Sequence, residues 1–154
     1  MSLFVECKPD ETLAFALGVT RREIEHALGR ASVCAQLSRR SGVTGMVDED
    51  PGTVAQPYMI KLKQESWEHD VRVLVDKERD NRIVVLSPRL EEWLVKTAKS
   101  GGLKMTEFGF ESDNGIHLHA EINQRLNSLQ KLVETLLSTG NTRILRLQSL
   151  IRPQ

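Results

Sequence analysis

Apolar and polar positions alternate in short blocks over the first fifty residues. Residues 3–7 form a short, mainly apolar run that Lys8-Pro9 stops, and residues 13–17 form an almost wholly apolar stretch that ends at Gly18. A short apolar run predicts a buried strand, and the longer stretch with a following glycine predicts a buried helix. Asp10 stands where the N-cap of that helix is expected.

The same unit then repeats. Residues 24–28 predict a second strand ended by Gly29, and Ser32 predicts the cap of a helix that runs to Arg40. Residues 43–47 predict a third strand. Strands joined by helical crossovers lie side by side and parallel, so the pattern predicts an α/β fold with a mostly parallel sheet flanked by helices and with the first and third strands as neighbours.

The pattern of the middle third is mixed. Residues 56–69 combine spaced apolar positions with charges and predict an exposed helix. Residues 71–75 and 83–86 predict two strands joined by a charged turn. Ser87-Pro88 predicts the start of a helix that continues through Lys99 and stops at Gly101-Gly102.

Apolar residues, mostly leucines, recur every three or four residues between positions 118 and 137, which predicts one long amphipathic helix, and Thr142 predicts the cap of a shorter final helix. Residues 1–154 are therefore interpreted as a single domain, with an α/β core over 1–100 and a helical C-terminal extension over 101–154. Two functions for the extension remain open. Its helices cover one face of the sheet, or they dock a second copy of the chain or an ATPase subunit.

Composition adds limits on partners and location. The 154 residues carry 21 basic and 21 acidic side chains, so no overall field draws the protein to nucleic acid or to an anionic membrane. Arg143, Arg146 and Arg152 form the only local basic stretch, which we interpret as a solvated helix face. Cys7 and Cys34 show no metal-ligand spacing, and no leader or long apolar span is evident, so we expect a cytoplasmic protein away from membranes.

The candidate chemistry lies in the acids that follow the predicted strands. Glu6 follows the first strand and Asp48, Glu49 and Asp50 follow the third, at the edge of an α/β sheet where ligands bind. Because side chains alternate along a strand, Asp48 and Asp50 share a direction and Glu49 points away. Clustered carboxylates either form a solvated loop or share a cation, and carboxylate oxygens suit Mg²⁺ or Mn²⁺. In the second case Glu6, Asp48 and Asp50 are the predicted metal ligands, whereas Asp10 is interpreted as a helix cap.

These residues resemble a known family. Glu6-Cys7-Lys8-Pro9-Asp10 resembles the first motif of the topoisomerase-primase (Toprim) domain, and Asp48-Glu49-Asp50-Pro51-Gly52 resembles its second. Cys7 replaces the usual glycine, and Gly52 comes one residue earlier than in the common form. The resemblance implies a Toprim-like, Rossmann-like fold in which Asp48 and Asp50 hold Mg²⁺ and Glu6 binds metal or transfers protons.

A further motif places Glu91 among the candidates. Residues 88–94, Pro-Arg-Leu-Glu-Glu-Trp-Leu, resemble a pattern found in small defence-linked proteins of the Toprim-like group. Glu91 is then either catalytic or part of a structural salt bridge. Lys8 and Arg30 are candidate helpers, and the four histidines are interpreted as solvated or core residues.

The expected function is divalent-metal-dependent cleavage of a nucleic-acid phosphodiester. The alternative is a non-catalytic Toprim-like binding subunit that partners an ATPase or itself in a defence or repair assembly.

Overall fold

The computed structural model describes residues 2–152, and six strands within them form one sheet in the order β2-β1-β3-β6-β5-β4. The strands are β1 (Leu3–Val5), β2 (Ile24–His26), β3 (Thr44–Asp48), β4 (Lys63–Glu68), β5 (Val71–Asp76) and β6 (Asn81–Leu86). The four strands β2, β1, β3 and β6 run parallel, and β5 and β4 extend the sheet as an antiparallel hairpin. The predicted α/β fold with a mostly parallel sheet is confirmed, as is the pairing of β1 with β3.

Helices flank both faces of the sheet. They are α1 (Lys8–Ala16), α2 (Gly29–Arg39), α3 (Pro57–Ile60), α4 (Leu90–Ser100), α5 (Gly115–Glu121), α6 (Leu126–Ser138) and α7 (Thr142–Ile151). One core cluster joins the sheet to α1, α4, α6 and α7, and a second joins its other face to α2 and α3. Gly45 lets α2 approach β3 closely, because a Cβ there would lie 2.8 Å from Cγ1 of Val33.

The predicted exposed helix over residues 56–69 is wrong. Only α3 is helical there, and β4 follows it as the edge strand of the sheet, paired with β5. His69 and Asp70 both have positive φ angles of 55° and 59°, which is the geometry of a two-residue hairpin turn. Neither residue is the glycine or asparagine that usually marks such a turn, so the local sequence did not indicate a hairpin. Pairing with β5 stabilises residues 63–68 as a strand although their apolar spacing is compatible with a helix.

The predicted long helix over residues 118–137 is also divided. A 3-10 turn over Ile122–Gln124 separates α5 from α6, and the backbone of Arg125 has a φ of −130° and a ψ of 45°. The leucines of α6 are nevertheless buried, with Leu129, Leu132 and Leu136 each 0% exposed. The C-terminal helices thus cover the core, and docking of a second copy or an ATPase stays a prediction.

Helix starts differ from those predicted by one to four residues. Asp10 lies in the first turn of α1 rather than at its cap, α2 begins before Ser32, and α4 begins after Ser87-Pro88. Asn141 rather than Thr142 caps α7, accepting hydrogen bonds from the backbone amides of Arg143 and Ile144. Among residues 2–152, no helix has both the length and the apolarity needed to cross a membrane.

Candidate functional site

The carboxyl ends of the parallel strands bring Glu6 and Asp48 together. Glu6 directly follows β1, Asp48 ends β3, and the backbone amide of Asp48 donates to Oε2 of Glu6 over 2.8 Å. Oδ1 of Asp48 in turn accepts the backbone amide of Leu90 at the start of α4, at 3.1 Å. Backbone amides therefore hold one oxygen of each carboxylate, and within residues 2–152 no hydrogen bond is donated to the second oxygen of Asp48.

Asp10 is a third member of this group, and it was interpreted from the sequence only as a helix cap. Its side chain is 2% exposed, and Oδ2 accepts the backbone amide of Glu6 at 3.3 Å. Pro9 lies in the first turn of α1, and Asp10 follows it as the third residue of the helix. From this position the carboxylate of Asp10 points back to the end of β1. In the sequence, the spacing of four residues between Glu6 and Asp10, together with Pro9, was the signal that could have identified Asp10 as a member of this group.

The three carboxylates repel one another in a poorly solvated place. Burial, followed by the charges of Asp10, Glu6 and Glu91, raises the pKa of Asp48 to about 9. Burial and then the charge of Glu6 raise the pKa of Asp10 to about 7. Burial also raises the pKa of Glu6, against the opposing effect of its hydrogen bond from Asp48. Burial and mutual repulsion thus disfavour the charged forms of these acids, and a bound cation would lower that cost.

The loop after β3 separates Glu49 from its neighbours. Both carboxylate oxygens of Glu49 accept hydrogen bonds from Nη2 of Arg72 on β5, at 2.7 and 3.0 Å. Asp50 adopts a left-handed φ of 49° and pairs with Nε of Arg89 at 3.1 Å. Asp50 still lies close enough for its charge to raise the pKa of Glu6, although burial of Glu6 is the larger cause. Asp48, Glu49 and Asp50 therefore have different partners, and Asp50 lies at the rim of the group formed by Glu6, Asp10 and Asp48.

Arg30 and Lys8, the two candidate helpers, have different environments. The guanidinium of Arg30 donates to the carbonyl oxygens of Glu49 and Val54 and to the hydroxyl of Thr53, at 2.6 to 2.9 Å. Arg30 thereby fixes the loop that carries Asp50. Lys8 is exposed at the start of α1, and no ion pair involves it within residues 2–152.

Glu91 lies beside the acid group and contacts a histidine of the C-terminal extension. Its side chain is 7% exposed, and Oε1 lies 2.9 Å from Nδ1 of His119, whose own side chain is 76% exposed. The charge of Glu91 contributes to the raised pKa of both Asp10 and Asp48, after burial and closer acids. His119 was not singled out from the sequence, because α5 and α4 are brought together only by tertiary packing.

Cavities lie at both edges of the sheet. One of about 320 Å³ adjoins the loop after β3 and is lined by residues that include Arg30, Asp50 and Arg72. A larger one of about 720 Å³ lies at the opposite edge, beside the amino ends of β3 and β6, where Arg82 and Arg146 contribute. The acid group and the smaller cavity thus share the edge at which ligands of α/β sheets bind.

The donor set is made only of carboxylates, the ligand type preferred by Mg²⁺ and Mn²⁺. Within residues 2–152, no three Asp, Glu, His or Cys side chains are arranged so that together they could hold a metal ion. Since Mg²⁺ often takes one or two carboxylates and completes its coordination with water and phosphate oxygens, the pair Glu6 and Asp48 is the donor set to test.

Comparison with known proteins gives no match to this chain among protein-family models, curated proteins or solved structures.

Proposed function

We propose that this protein cleaves phosphodiester bonds in nucleic acid with the help of a divalent cation. The observation that carries the proposal is the pair Glu6 and Asp48, which backbone amides fix against each other at the end of adjacent parallel strands. Strongly perturbed pKa values cluster at functional sites, and those of Asp48 and Asp10 are raised mainly by burial. The Toprim-like motifs on the same residues add to this support.

Glu6 and Asp48 would hold the cation, while Asp50 lies at the rim of the group and pairs with Arg89. When bound, Mg²⁺ or Mn²⁺ supplies Lewis-acid stabilisation of phosphoryl oxygens and a more acidic water. The side chains of the protein then position the site. Asp10 fixes the backbone of Glu6 through its amide, and Arg30 fixes the loop that carries Asp50.

Several features next to the acids suit a nucleic-acid substrate. Lys8 offers an exposed ammonium group that can contact a phosphate. Leu28 and Val54 are each 84% exposed on loops at this edge of the sheet, where they can make apolar contacts with a substrate. Because the chain has no net charge, such local contacts would have to supply most of the affinity, and we expect binding to be weak and sensitive to salt.

The test is a cleavage assay with labelled single- and double-stranded DNA and RNA, each with and without Mn²⁺ or Mg²⁺. We expect cation-dependent cleavage that Glu6→Gln and Asp48→Asn each abolish. Calorimetry should show Mn²⁺ binding to the native protein and its loss in Asp48→Asn. Asp80→Asn is the matched control, because Asp80 is exposed, has a positive φ that asparagine tolerates, and lies at the opposite edge of the sheet. Cleavage that persists in Asp48→Asn would refute the proposal.

The ion pairs of the loop favour a second candidate function. Arg72 and Arg89 neutralise Glu49 and Asp50, as would be expected of a fold that is retained for binding rather than for catalysis. The chain would then serve as a non-catalytic subunit that partners an ATPase or itself. A native protein that binds no Mn²⁺ and elutes as a dimer in size-exclusion chromatography with light scattering would favour this candidate.

A further inference from the structure

The C-terminal extension delivers one imidazole to the acidic edge of the sheet. Asn114 caps α5 by accepting the backbone amides of Ile116 and His117. Gly115 then packs directly on α4, because a Cβ at this position would lie 2.9 Å from Cα of Glu92. One turn later, His119 reaches Glu91. The Asn114-Gly115 pair thus explains how α5 comes close enough to α4 for the contact to form.

The contact between His119 and Glu91 orients the ring. An ionised carboxylate can only accept a hydrogen bond, so in the neutral ring Nδ1 of His119 carries the hydrogen and Nε2 carries the free lone pair. Within residues 2–152, nothing donates to Nε2 or accepts from it, and the 76% exposed side chain leaves it in contact with water. A buried carboxylate that holds one ring nitrogen so that the other can take a proton is the arrangement that activates nucleophiles in many hydrolases.

The dyad also lies next to the proposed metal ligands. Leu90, whose amide binds Asp48, directly precedes Glu91 in α4, and the charge of Glu91 acts on Asp10 and Asp48. Other charged groups on the packed elements are Glu92, paired with Arg89, and Glu121, paired with Arg125. The exposed ring is therefore connected to the carboxylate group through Glu91 and the start of α4.

We infer that His119 is the general base of the proposed hydrolysis and that Glu91 is its positioning residue. The inference rests on the proposed function. Nε2 takes a proton from the attacking water as the water oxygen forms its bond to phosphorus. The bond from phosphorus to the leaving sugar oxygen breaks, that oxygen takes a proton from solvent, and the imidazolium later releases its proton to solvent. The exposure of the ring suits this step, because the nucleophile of hydrolysis arrives from the solvent.

A purely structural ion pair between α4 and α5 would give different results, and the variants are chosen to separate the two. His119→Ala and His119→Gln remove the base, and Glu91→Gln weakens its orientation. His117→Ala is the matched control, because His117 lies on the same helix and is exposed. Each protein is assayed on the labelled oligonucleotides with Mn²⁺ across the pH range, with thermal melting and Mn²⁺ calorimetry in parallel.

We expect His119→Ala to lower kcat about a hundredfold or more, the usual contribution of a general base, with KM and Mn²⁺ affinity retained. The acidic limb of the pH–rate profile should disappear, and added imidazole should restore part of the rate. Glu91→Gln should lower kcat less, and His117→Ala should match the native protein. Nitrogen NMR of the neutral ring should show the hydrogen on Nδ1 in the native protein.

The outcomes separate failure of the inference about His119 from failure of the proposed function on which it rests. If native protein cleaves with Mn²⁺ but His119→Ala matches His117→Ala, or loses activity without rescue by imidazole, then His119 is not the base while the proposed function stands. A neutral ring with its hydrogen on Nε2 would overturn the inference without any substrate. If the native protein does not cleave, or if Asp48→Asn cleaves equally well, the proposed function fails and the inference falls with it.

Discussion

Replacing Asp10 by asparagine should stabilise the metal-free protein at alkaline pH and change it little at acidic pH. The Asp10 side chain is 2% exposed, and burial followed by the charge of Glu6 raises its pKa from 3.8 to about 7. Asparagine keeps a side-chain oxygen for the backbone amide of Glu6 and removes the charge. The substitution therefore tests the electrostatic strain of the acid group with little change in shape.

The sign and the size follow from proton linkage. The folded chain holds the Asp10 proton to higher pH than the unfolded chain does, so the free energy of unfolding falls as pH rises from 3.8 to about 7 and is then level. At about 1.4 kcal/mol for each pH unit, the total loss is about 4 kcal/mol. Of this, about 3 kcal/mol is lost between about pH 5 and about pH 9.

The assay is urea denaturation followed by circular dichroism, with a chelator present, at about pH 5, 7 and 9. Subtracting the native free energy of unfolding from that of Asp10→Asn at each pH cancels the titrating groups that do not interact with Asp10. Asp48 does not cancel, because the charge of Asp10 is one cause of its raised pKa after burial, and its response adds to the difference in the same direction. We expect this difference to grow by about 3 kcal/mol towards alkaline pH. Asp70→Asn is the control of opposite sign, because hydrogen bonding to Lys96 and then to Arg143 lowers the pKa of Asp70 against the effect of burial. It should destabilise the protein near neutral pH.

A difference that stays constant from about pH 5 to about pH 9 would refute the reasoning. It would mean that Asp10 titrates alike in the folded and unfolded chain, and hence that the acids at the ends of β1 and β3 do not form a buried, mutually repulsive group.

Three further substitutions test the packing around the site. Asn141→Ala should lower the free energy of unfolding by about 1 kcal/mol through loss of the α7 cap, whereas Thr142→Ala should cost less, and equal losses in urea denaturation would contradict the assignment. Gly45→Ala should cost about 1–3 kcal/mol, because the new Cβ would lie 2.8 Å from Val33, and a double-mutant cycle with Val33→Ala should recover part of that cost unless the clash is absent. Trp93→Phe should cost about 1–3 kcal/mol, because a fully buried indole loses volume and its hydrogen bond to a backbone carbonyl, and an unchanged melting temperature would argue against this.

Local sequence patterns predicted an element correctly where the residues of that element are themselves buried. The apolar runs that became β1, β3, β5 and β6 were evident because burial on both faces requires continuous hydrophobicity. The crossover helices then required parallel order, and parallel order placed Glu6 and Asp48 at one edge. This much of the fold and of the acid group followed from periodicity and connection rules.

The remaining features depend on contacts between distant segments. The edge strand β4 exists because β5 pairs with it, and its own exposed residues carry a pattern compatible with a helix. Asp10 joins the acids because α1 begins two residues before it, and a shift of that size lies below what capping patterns resolve.

The sequence by itself determined a mostly parallel α/β sheet and the strand ends at which its acids lie, because hydrophobic period and crossover handedness act locally. Only the tertiary structure decided which acids share an environment, which are neutralised by arginines, and that His119 meets Glu91. Those outcomes depend on the packing of segments far apart in the chain. Gly115 lets α5 approach α4, and burial at the ends of β1 and β3 raises the pKa values of the carboxylates.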